Sequence, residues 1–581
     1  MQNVRENWTE TIRAALKTLH PDWPETEVIQ ETPPSSDLGD LAFPMHPYAR
    51  IFRKSPQAIA GDVARHLEEA GHKLPGSAAA QGSYVNVSFD RRAFASDLLN
   101  DVEQFESQFG RTDHLLGQKV MCEFSCPNTN KPLHIGHLRN DCLGQSVSRI
   151  LQACGAEVLK VNLINNRGIH ICKSMLAYQN FGKGRTPESE NKKPDHFVGD
   201  YYVRYNVWAA EDSSAENSAR EMLLAWEQGD PEIRELWQKM NGWTIDGINA
   251  TYRRTAITFD RIYYESDTYL LGKEIVAKGL EEKVFYRKDD GSVWIDLSGE
   301  GLDHKALLRG DGTSIYITQD FGTAVKRHEE WPFDRLIYIV ASEQKYHFRV
   351  LFIILSKLDY SWADGLHHLA YGMVNLPDGR IKSREGNAPD ADDLLDALAA
   401  LAAQEIRAKG RQDAVGDVEA TADKIAMGAL NYYLLKVTAL KDISFNPQES
   451  ISFTGNTGPY LQYTGARICS VLRKHAQKMQ SGDAGKFNAD LLTVSEEWEL
   501  IKLISIYSER LRQAADGCDP SIMANYLYDL ARYFNRYYHD NPILHNENLD
   551  LVATRVRLLA AVKQTLVNGL RLIAIPFLES M

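Results

Sequence analysis

The sequence lacks three features that would each have pointed to a class of protein. It has no Cys-x-x-Cys pair and an odd number of cysteines, seven in 581 residues, which argues against a disulfide framework and for reduced thiols. Its N-terminus has no signal-peptide core, and no apolar run approaches the ~18 residues that span a membrane. A formal net charge of −13 argues against an indiscriminate basic coat for nucleic acid, but leaves room for local basic patches. We therefore expect a soluble, cytoplasmic protein.

The chain is too long for one core, since domains of ~100–200 residues are usual. Residues 1–108 have a helix, turn and strand pattern of their own and predict a small α/β domain, with helices at 4–19 and 55–71 and a strand in "GSYVNVSF". Residues 391–581 are almost entirely helical in pattern and predict a helical bundle. No internal repeat or low-complexity segment is present.

The central region, 109–390, begins with a strand–helix–strand pattern: "KVMCEFS", "IGHLRNDCLGQSVSRILQACG" and "EVLKVNLI". That spacing predicts a βαβ unit and hence a Rossmann-like parallel sheet. A polar stretch at about 183–250 interrupts the pattern as an insertion. Further strands are predicted at 293–297, 314–318, 336–340 and 368–374. The predicted fold class is therefore multidomain, α/β plus all-α.

The segment "EFSCPNTNKPLHIGHLRND" (123–141) combines a strand end, Pro132, a helix start near Leu133 and two histidines, His134 and His137. Free amides at a helix start attract phosphate, and two imidazoles add donors. Gly136 removes a side chain between them, so a base or ribose could approach. A nucleoside triphosphate fits this pattern. Two alternatives are histidines with a merely structural role and a zinc site that includes Cys122 and Cys126, although these cysteines lack the tight knuckle spacing.

The complete string "SCPNTNKPLHIGHLR", with a strand before it and a helix after it, resembles the nucleotide-binding signature of the class I aminoacyl-tRNA synthetases. Its flanks resemble the arginyl-tRNA synthetase form in particular. The resemblance extends over essentially the whole chain. It implies that His134, Gly136 and His137 bind ATP.

A second segment, "LPDGRIKSREGNAPDADDLL" (376–395), resembles the basic loop that follows the last strand in this family. Aligned on its Gly-Asn pair, the usual lysine-methionine-serine-lysine-serine signature falls on 380–384. The resemblance implies that Arg380, Lys382 and Ser383 contact ATP and that Lys382 and Arg384 stabilise phosphate charge. Ser383 replaces the usual second lysine, and in the arginyl group a lysine at the position of Lys131 is thought to compensate.

The amino-acid pocket is also implied by resemblance. A guanidinium pairs with carboxylates through its planar fork, and "SIYITQDFGT" supplies a tyrosine and an aspartate. The arginine-binding residues that the resemblance implies are Tyr316, Asp320, Gln344, Asn128, His137, Glu123 and Cys126. Cys126 departs from many relatives, which have serine there, so its side-chain role is in doubt while its backbone could still serve. Arginine is favoured over glutamine, glutamate and cysteine as the substrate.

The C-terminal segments "FTGNTGPYLQYTGARICSVLRK" and "YDLARYFNRYYHDNPIL" resemble the anticodon-binding domain of the arginyl family. Interleaved arginines and tyrosines suit phosphate pairing and base stacking, although some of these tyrosines must be buried. The residues expected to bind tRNA are Tyr460, Arg532, Arg536 and Tyr537. By the same resemblance, residues 1–108 would contact the tRNA elbow.

The function that the sequence predicts is ATP-dependent ligation of L-arginine to its tRNA through an arginyl-adenylate. Catalysis is expected from His134, His137, Lys131, Lys382 and Arg384, with Mg²⁺ accompanying ATP, no structural metal and a monomeric protein. Two rivals are a small-molecule nucleotidyltransferase with the same kind of ATP site and a non-catalytic RNA-binding relative of a synthetase.

Overall fold

The computed structural model describes residues 2–24, 26–31, 33–35, 38–70, 74–376, 379–380, 390–479 and 485–581. The N-terminal region contains a three-stranded antiparallel sheet in the order β1-β3-β2, packed with helices. Helix α1 buries Trp8, Ile12 and Leu16, which lie four residues apart and so share one face. The predicted helices and the strand are confirmed. The elements are α1 (Gln2–Leu19), β1 (Leu41–Pro44), α2 (Ala49–Phe52), α3 (Pro56–Ala70), β2 (Gly76–Gln81), β3 (Tyr84–Phe89) and α4 (Arg91–Phe105).

The central sheet has five parallel strands in the order β11-β10-β4-β5-β6. The predicted βαβ unit is confirmed, with α5 between β4 and β5. Parallel strands place all their carboxyl ends at one edge of the sheet, where doubly wound folds bind ligands. The strands are β4 (Lys119–Glu123), β5 (Glu157–Ile164), β6 (Arg261–Tyr264), β10 (Arg335–Ala341) and β11 (Leu366–Tyr371), and the first helix is α5 (Ile135–Ala153).

The polar stretch between β5 and β6 is a helical unit with its own apolar core, which includes Met175, Tyr205, Ala219, Met222 and Met240. A polar composition hid the last three of these helices, within 194–255, because most of their residues are not buried. Its helices are α6 (Ile169–Phe181), α7 (Pro194–Glu211), α8 (Ser214–Gln228) and α9 (Pro231–Thr255).

Two of the predicted strands differ in the structure. Residues 293–295 lie in a separate antiparallel sheet, β7-β8-β9. The stretch 314–318 is not a strand, because α12 begins at Tyr316 and buries Ile317, Phe321 and Ala324 at helical spacing. The elements here are α10 (Glu265–Thr268), α11 (Lys273–Glu281), β7 (Phe285–Arg287), β8 (Val293–Ile295), β9 (Lys305–Leu308), α12 (Tyr316–Glu330) and α13 (Lys345–Lys357).

The C-terminal region is helical, as the pattern predicted. Several helices begin at an aspartate or asparagine whose side chain accepts a hydrogen bond from the first turn, among them Asp417, Asp519 and Asn548. A small sheet, β13-β12-β14, joins it to the central region. The elements are β12 (Val374–Leu376), β13 (Gly379–Arg380), α14 (Ala391–Ala408), α15 (Gln412–Val415), α16 (Val418–Leu435), β14 (Ile443–Ser444), α17 (Pro447–Ser450), α18 (Gly458–Met479), α19 (Ser495–Ser505), α20 (Tyr507–Asp516), α21 (Pro520–Asp540) and α22 (Leu549–Leu572). Among the described helices, none has the length and apolar character needed to cross a membrane.

Candidate active site

The two signature histidines cap the start of α5. His134 is the N-cap residue, and its Nδ1 accepts a hydrogen bond from the Gly136 amide at 3.1 Å. His137 Nδ1 accepts one from the His134 amide at 3.1 Å, so the two residues form a reciprocal capping box. Their ring centroids are 4.0 Å apart. The imidazoles therefore cap the helix through Nδ1, and the Nε2 atom of each ring takes no part in the capping box.

Both histidines are electrically neutral near pH 7. Burial, followed by the Lys131 charge, lowers the pKa of His134 to about 4. Burial, then His134 and Lys131, lower the pKa of His137 well below its usual range. Since each Nδ1 accepts an amide hydrogen, the single ring proton lies on Nε2 and can be donated to an anion. Gly136 is confined, because a Cβ there would lie 3.0 Å from the His134 ring.

The loop after β4 has a left-handed backbone at Ser125 and Cys126, with φ of 74° and 47°. The Cys126 amide donates to Asn162 Oδ1 at 3.1 Å, and its carbonyl accepts from Asn165 Nδ2 at 2.9 Å. Internal hydrogen bonds thus hold both backbone polar groups of Cys126, and its contact with arginine stays a prediction. Asn128, in contrast, is exposed in the same loop.

Glu123 requires a correction. It was expected to add negative charge beside the substrate, but its carboxylate forms a buried ion pair with Arg327 of α12, and both side chains are almost fully inaccessible. Burial, the largest influence, would by itself lower the pKa of Arg327, but the Glu123 charge together with Tyr338 and Cys126 raises that pKa. The pair neutralises Glu123, because two opposite charges buried together act as one nearly neutral group.

The expected guanidinium-binding residues lie near the carboxyl edge of the sheet. Asp320 Oδ2 is 2.5 Å from Nε2 of His347 in the first turn of α13. Tyr316 lies one turn before Asp320 on α12 and is 76% exposed. Gln344 is exposed in the short turn that joins β10 to α13. None of the three is buried, so all remain accessible to a ligand.

Glu265 is a residue that sequence reasoning missed. It directly follows β6 and is half-buried. Burial raises the pKa of its carboxyl to about 7, against the Arg167 charge, and the nearby Asp320 carboxylate raises it further. Two neighbouring carboxylates form a receptor suited to a bound cation. The only available signal was its position at the end of a parallel strand, which follows an insertion and carries no motif.

Of the basic loop, Lys382, Ser383 and Arg384 lie outside the described residues. Arg380 lies in β13, where its backbone pairs with Asn375 of β12. Lys131, the residue expected to compensate for Ser383, lines a cavity of about 430 Å³ with His134 and His196. The structure thus brings Lys131 and the signature histidines together.

The C-terminal helices enclose a cleft of about 640 Å³. Its lining includes basic and aromatic side chains: Arg411, Tyr463, Arg467, Arg473, Lys474 and Tyr538. Of the residues expected to bind tRNA, Arg532 and Arg536 are exposed and Tyr460 is half-buried. The expectation for Tyr537 must be corrected: its side chain is fully buried and its hydroxyl donates to Glu497 Oε1 at 2.9 Å, so no ring face is open to a base.

Comparison with known proteins agrees with this geometry. Residues 100–447 match the family model "tRNA synthetases class I (R), catalytic domain", residues 461–581 a DALR anticodon binding domain, and residues 6–89 an arginyl-tRNA synthetase N-terminal domain. The chain is 51% identical over 591 aligned residues to an arginine–tRNA ligase of Treponema denticola, and 45% identical over 564 to that of Borrelia hermsii. The first alignment covers 100% of both chains, and the second covers 96% of this chain and 95% of the relative.

Among solved structures, the arginyl-tRNA synthetase of Thermus thermophilus matches with a TM-score of 0.81 and 26% identity over 100% of both chains. That of Plasmodium falciparum has a TM-score of 0.77 at 17% identity, over 99% of both chains, which is a likeness of fold. With the catalytic, anticodon-binding and N-terminal family models all matched in order along one chain, this protein belongs to the class I arginyl-tRNA synthetase family.

Proposed function

We propose that the chain activates L-arginine with ATP and transfers it to the 3′ end of its tRNA. The observation that carries this proposal is that a helix start with two neutral Nε2–H donors follows β4 of the parallel sheet, while Glu265 follows β6 of the same sheet and lies near Asp320 in α12. The helix start suits a triphosphate, and the pair of carboxylates suits a guanidinium. The arginine–tRNA ligases that are similar over their full length support the same reaction.

In the first step the arginine carboxylate oxygen attacks the α-phosphorus of ATP and pyrophosphate leaves. In the second, a ribose hydroxyl of the terminal adenosine attacks the arginyl carbonyl and AMP leaves. No covalent bond to the protein is needed, so the protein contributes position and charge. Mg²⁺ would enter with ATP and neutralise part of the triphosphate charge.

The ATP side is assigned to the start of α5. His134 and His137 would donate from Nε2 to phosphate oxygens, and neutral donors retain this capacity throughout the physiological pH range because their pKa values are low. Lys131 would add a cation to the same oxygens, with Gly136 leaving room for the ribose. The basic-loop residues Arg380, Lys382, Ser383 and Arg384 remain predictions from the sequence.

The arginine side is assigned to Asp320 and Glu265 for the guanidinium, with Tyr316 and Gln344 as neutral partners. Asn128 would hold the α-amino or carboxylate end, since it is exposed in the loop that leads to His134. Glu123 acts only indirectly, through its ion pair with Arg327.

The RNA side is assigned to the 640 Å³ cleft, where Tyr463 and Tyr538 could stack on unpaired bases and Arg467 could pair with phosphate. Tyr460, Arg532 and Arg536 remain expected contacts.

We also expect a monomer, which sedimentation would check, and a reducing cytoplasmic location, which the seven free cysteines support.

The test is arginine-dependent exchange between ATP and pyrophosphate, measured with and without tRNA. The proposal is supported if arginine-dependent exchange occurs and requires tRNA. Exchange with another amino acid would refute the specificity, and no exchange with any of the twenty would favour a non-catalytic RNA-binding role.

A further inference from the structure

A cluster of charged residues joins the start of α7, in the insertion, to the start of α14, directly after the basic loop. Lys193 donates from Nζ to Asp195 Oδ2 at 2.9 Å, to Asp392 Oδ2 at 2.6 Å and to Thr251 Oγ1 at 2.7 Å. Asp195 is fully buried, and Thr251 also donates to Asp392, at 3.0 Å. Lys193 therefore bridges three elements, since Thr251 belongs to α9.

His196 completes this cluster. Its Nδ1 lies 3.3 Å from Asp390 Oδ2, and its Nε2 lies 3.5 Å from Asp392 Oδ2. Burial alone would lower the pKa of His196, but Asp392, Asp390 and Asp195 together raise it against the opposing Lys193 charge. The six residues are called the clasp below: Lys193, Asp195, His196, Thr251, Asp390 and Asp392.

The clasp is in direct contact with the proposed ATP segment. The Ala391 amide donates to the Leu133 carbonyl at 2.8 Å, and Asp390 pairs with His134 as an isolated antiparallel bridge. On the other side, α7 approaches the same segment so closely that a Cβ on Gly199 would lie 2.8 Å from Pro132 Cδ. Helices α7 and α14, which the clasp joins, therefore both contact residues 132–134.

Asp195, His196 and Asp392 have ligand atoms close enough together to hold a metal ion. The Lys193 ammonium, however, already lies within hydrogen-bond distance of both carboxylates. An ammonium and a divalent cation would compete for the same oxygens, so the structure favours the lysine as the cation of this cluster.

We propose that Lys193 is a positioning residue for adenylate formation: through Asp392 it fixes the start of α14 against the segment that carries His134. Asp390 and Ala391 contact this segment directly, so the position of α14 helps to set the position of His134. The inference rests on the proposed function, because it assigns these residues to the ATP half of that site. The arginine pocket at Asp320 and Glu265 belongs to other elements and should be unaffected.

The experiment compares Lys193→Met, Asp392→Asn, the double variant and Lys193→Arg in full-length protein. Exchange between ATP and pyrophosphate is measured with tRNA present, together with thermal unfolding. We expect kcat to fall by about 10- to 100-fold, the scale of a ~1 Å misplacement, with the KM for arginine changed less than about twofold. The double variant should be no slower than the slower single variant, since both remove one connection, and Lys193→Arg should recover most of the rate.

Lys173→Met is the matched control, because Lys173 forms a comparable ion pair with Glu216 inside the insertion, at 2.5 Å. It should lower the melting temperature without changing kcat. Asp392→Asn leaves the Lys193–Asp195 pair in place and covers the case in which Lys193→Met does not fold. A folded Lys193→Met or Asp392→Asn variant with wild-type kcat would overturn the positioning role.

Two further outcomes are decisive. If wild-type protein binds zinc or manganese stoichiometrically after dialysis and His196→Gln loses the metal, the cation of this cluster is a metal ion and not the Lys193 ammonium. That result would overturn the positioning role of Lys193. Wild-type protein that shows no arginine-dependent exchange would overturn the proposed function, and the positioning role with it, whereas a failure confined to the variants' kcat leaves the proposed function intact.

Discussion

The pairing of Glu265 with Asp320 predicts that arginine binding depends on pH in a defined direction. Burial raises the pKa of Glu265 to about 7, Arg167 opposes this shift, and Asp320 adds to it. At pH 6 most Glu265 side chains are therefore neutral, and at pH 8 most are ionised. A guanidinium favours the ionised form, so binding of arginine should release a proton near pH 7 and tighten as the pH rises.

The size of the effect follows from the pKa. If only ionised Glu265 binds arginine, the apparent Kd exceeds its limiting value about 11-fold at pH 6 and about 1.1-fold at pH 8, for a pKa of about 7. The expected change is thus roughly tenfold between these two pH values. Glu265→Gln should abolish that dependence and weaken binding at pH 8 by about 100-fold, the scale of a charged hydrogen bond worth ~3 kcal/mol.

The assay is calorimetric titration with arginine at pH 6, 7 and 8, in two buffers of different ionisation enthalpy so that proton release is counted directly. Glu274→Gln on α11 is the control, because Glu274 is exposed and belongs to no described site. His347 contacts Asp320, so His347→Gln is measured as a second control. A wild-type Kd that is constant from pH 6 to 8, or an unchanged slope in Glu265→Gln, would refute the role of Glu265.

Further outcomes test other parts of the site. Asp320→Asn should lower kcat/KM for arginine by ~100-fold or more, with the KM for ATP unchanged; normal charging by this variant would mean that the pocket is misplaced. Arg327→Met should destabilise the protein by about 3–5 kcal/mol in urea unfolding, because it leaves the Glu123 carboxylate buried without a partner. Adding Glu123→Gln should restore much of that loss, and an additive double variant would contradict the pairing. Tyr463→Ala should raise the KM for tRNA by about tenfold, as expected for one stacked base, and leave exchange of ATP with pyrophosphate at saturating tRNA unchanged.

The start of the site could be predicted because its signals are local. An asparagine-rich turn, Pro132 and a capping histidine define where β4 ends and α5 begins, and each acts within a few residues. The structural-only role considered for the histidines is also partly right, since both cap the helix through Nδ1. What the sequence could not give was the protonation state, which depends on burial by distant elements.

The errors have physical causes as well. Residues 314–318 are rich in β-formers, but a stripe at 317, 321 and 324 packs into the core, so tertiary contacts overrode local propensity. For Tyr537 the sequence does contain a signal of burial, which is an apolar stripe at helical spacing on α21. Met523, Leu527, Leu530 and Phe534 form this stripe and are buried, and Tyr537 continues it. Glu123 and Arg327 are more than 200 residues apart, and no local pattern could have paired them.

Arg139 of the same signature helix shows how α5 connects the site to the rest of the protein. Its guanidinium is fully buried and donates to the carbonyls of Gly372 at 2.7 Å, Met373 at 3.3 Å, Ala439 at 2.8 Å and Lys441 at 2.7 Å. Burial lowers the pKa of Arg139 to about 10, so it remains charged at neutral pH and these carbonyls must stay in place to compensate for its desolvation.

The carbonyls that Arg139 holds precede β12, where the basic loop begins, and β14, where the C-terminal helices rejoin the sheet. The amino-terminal end of the loop is therefore fixed to α5, whose first turn carries His134 and His137. The other end meets the residues just before α5 through the Ala391–Leu133 hydrogen bond. The described flanks of the loop, at 372–373 and at Ala391, are therefore both tied to the short segment of chain that carries the two histidines. Holding these flanks in place keeps the histidine donors positioned, and positioned donors stabilise a transition state at low entropic cost.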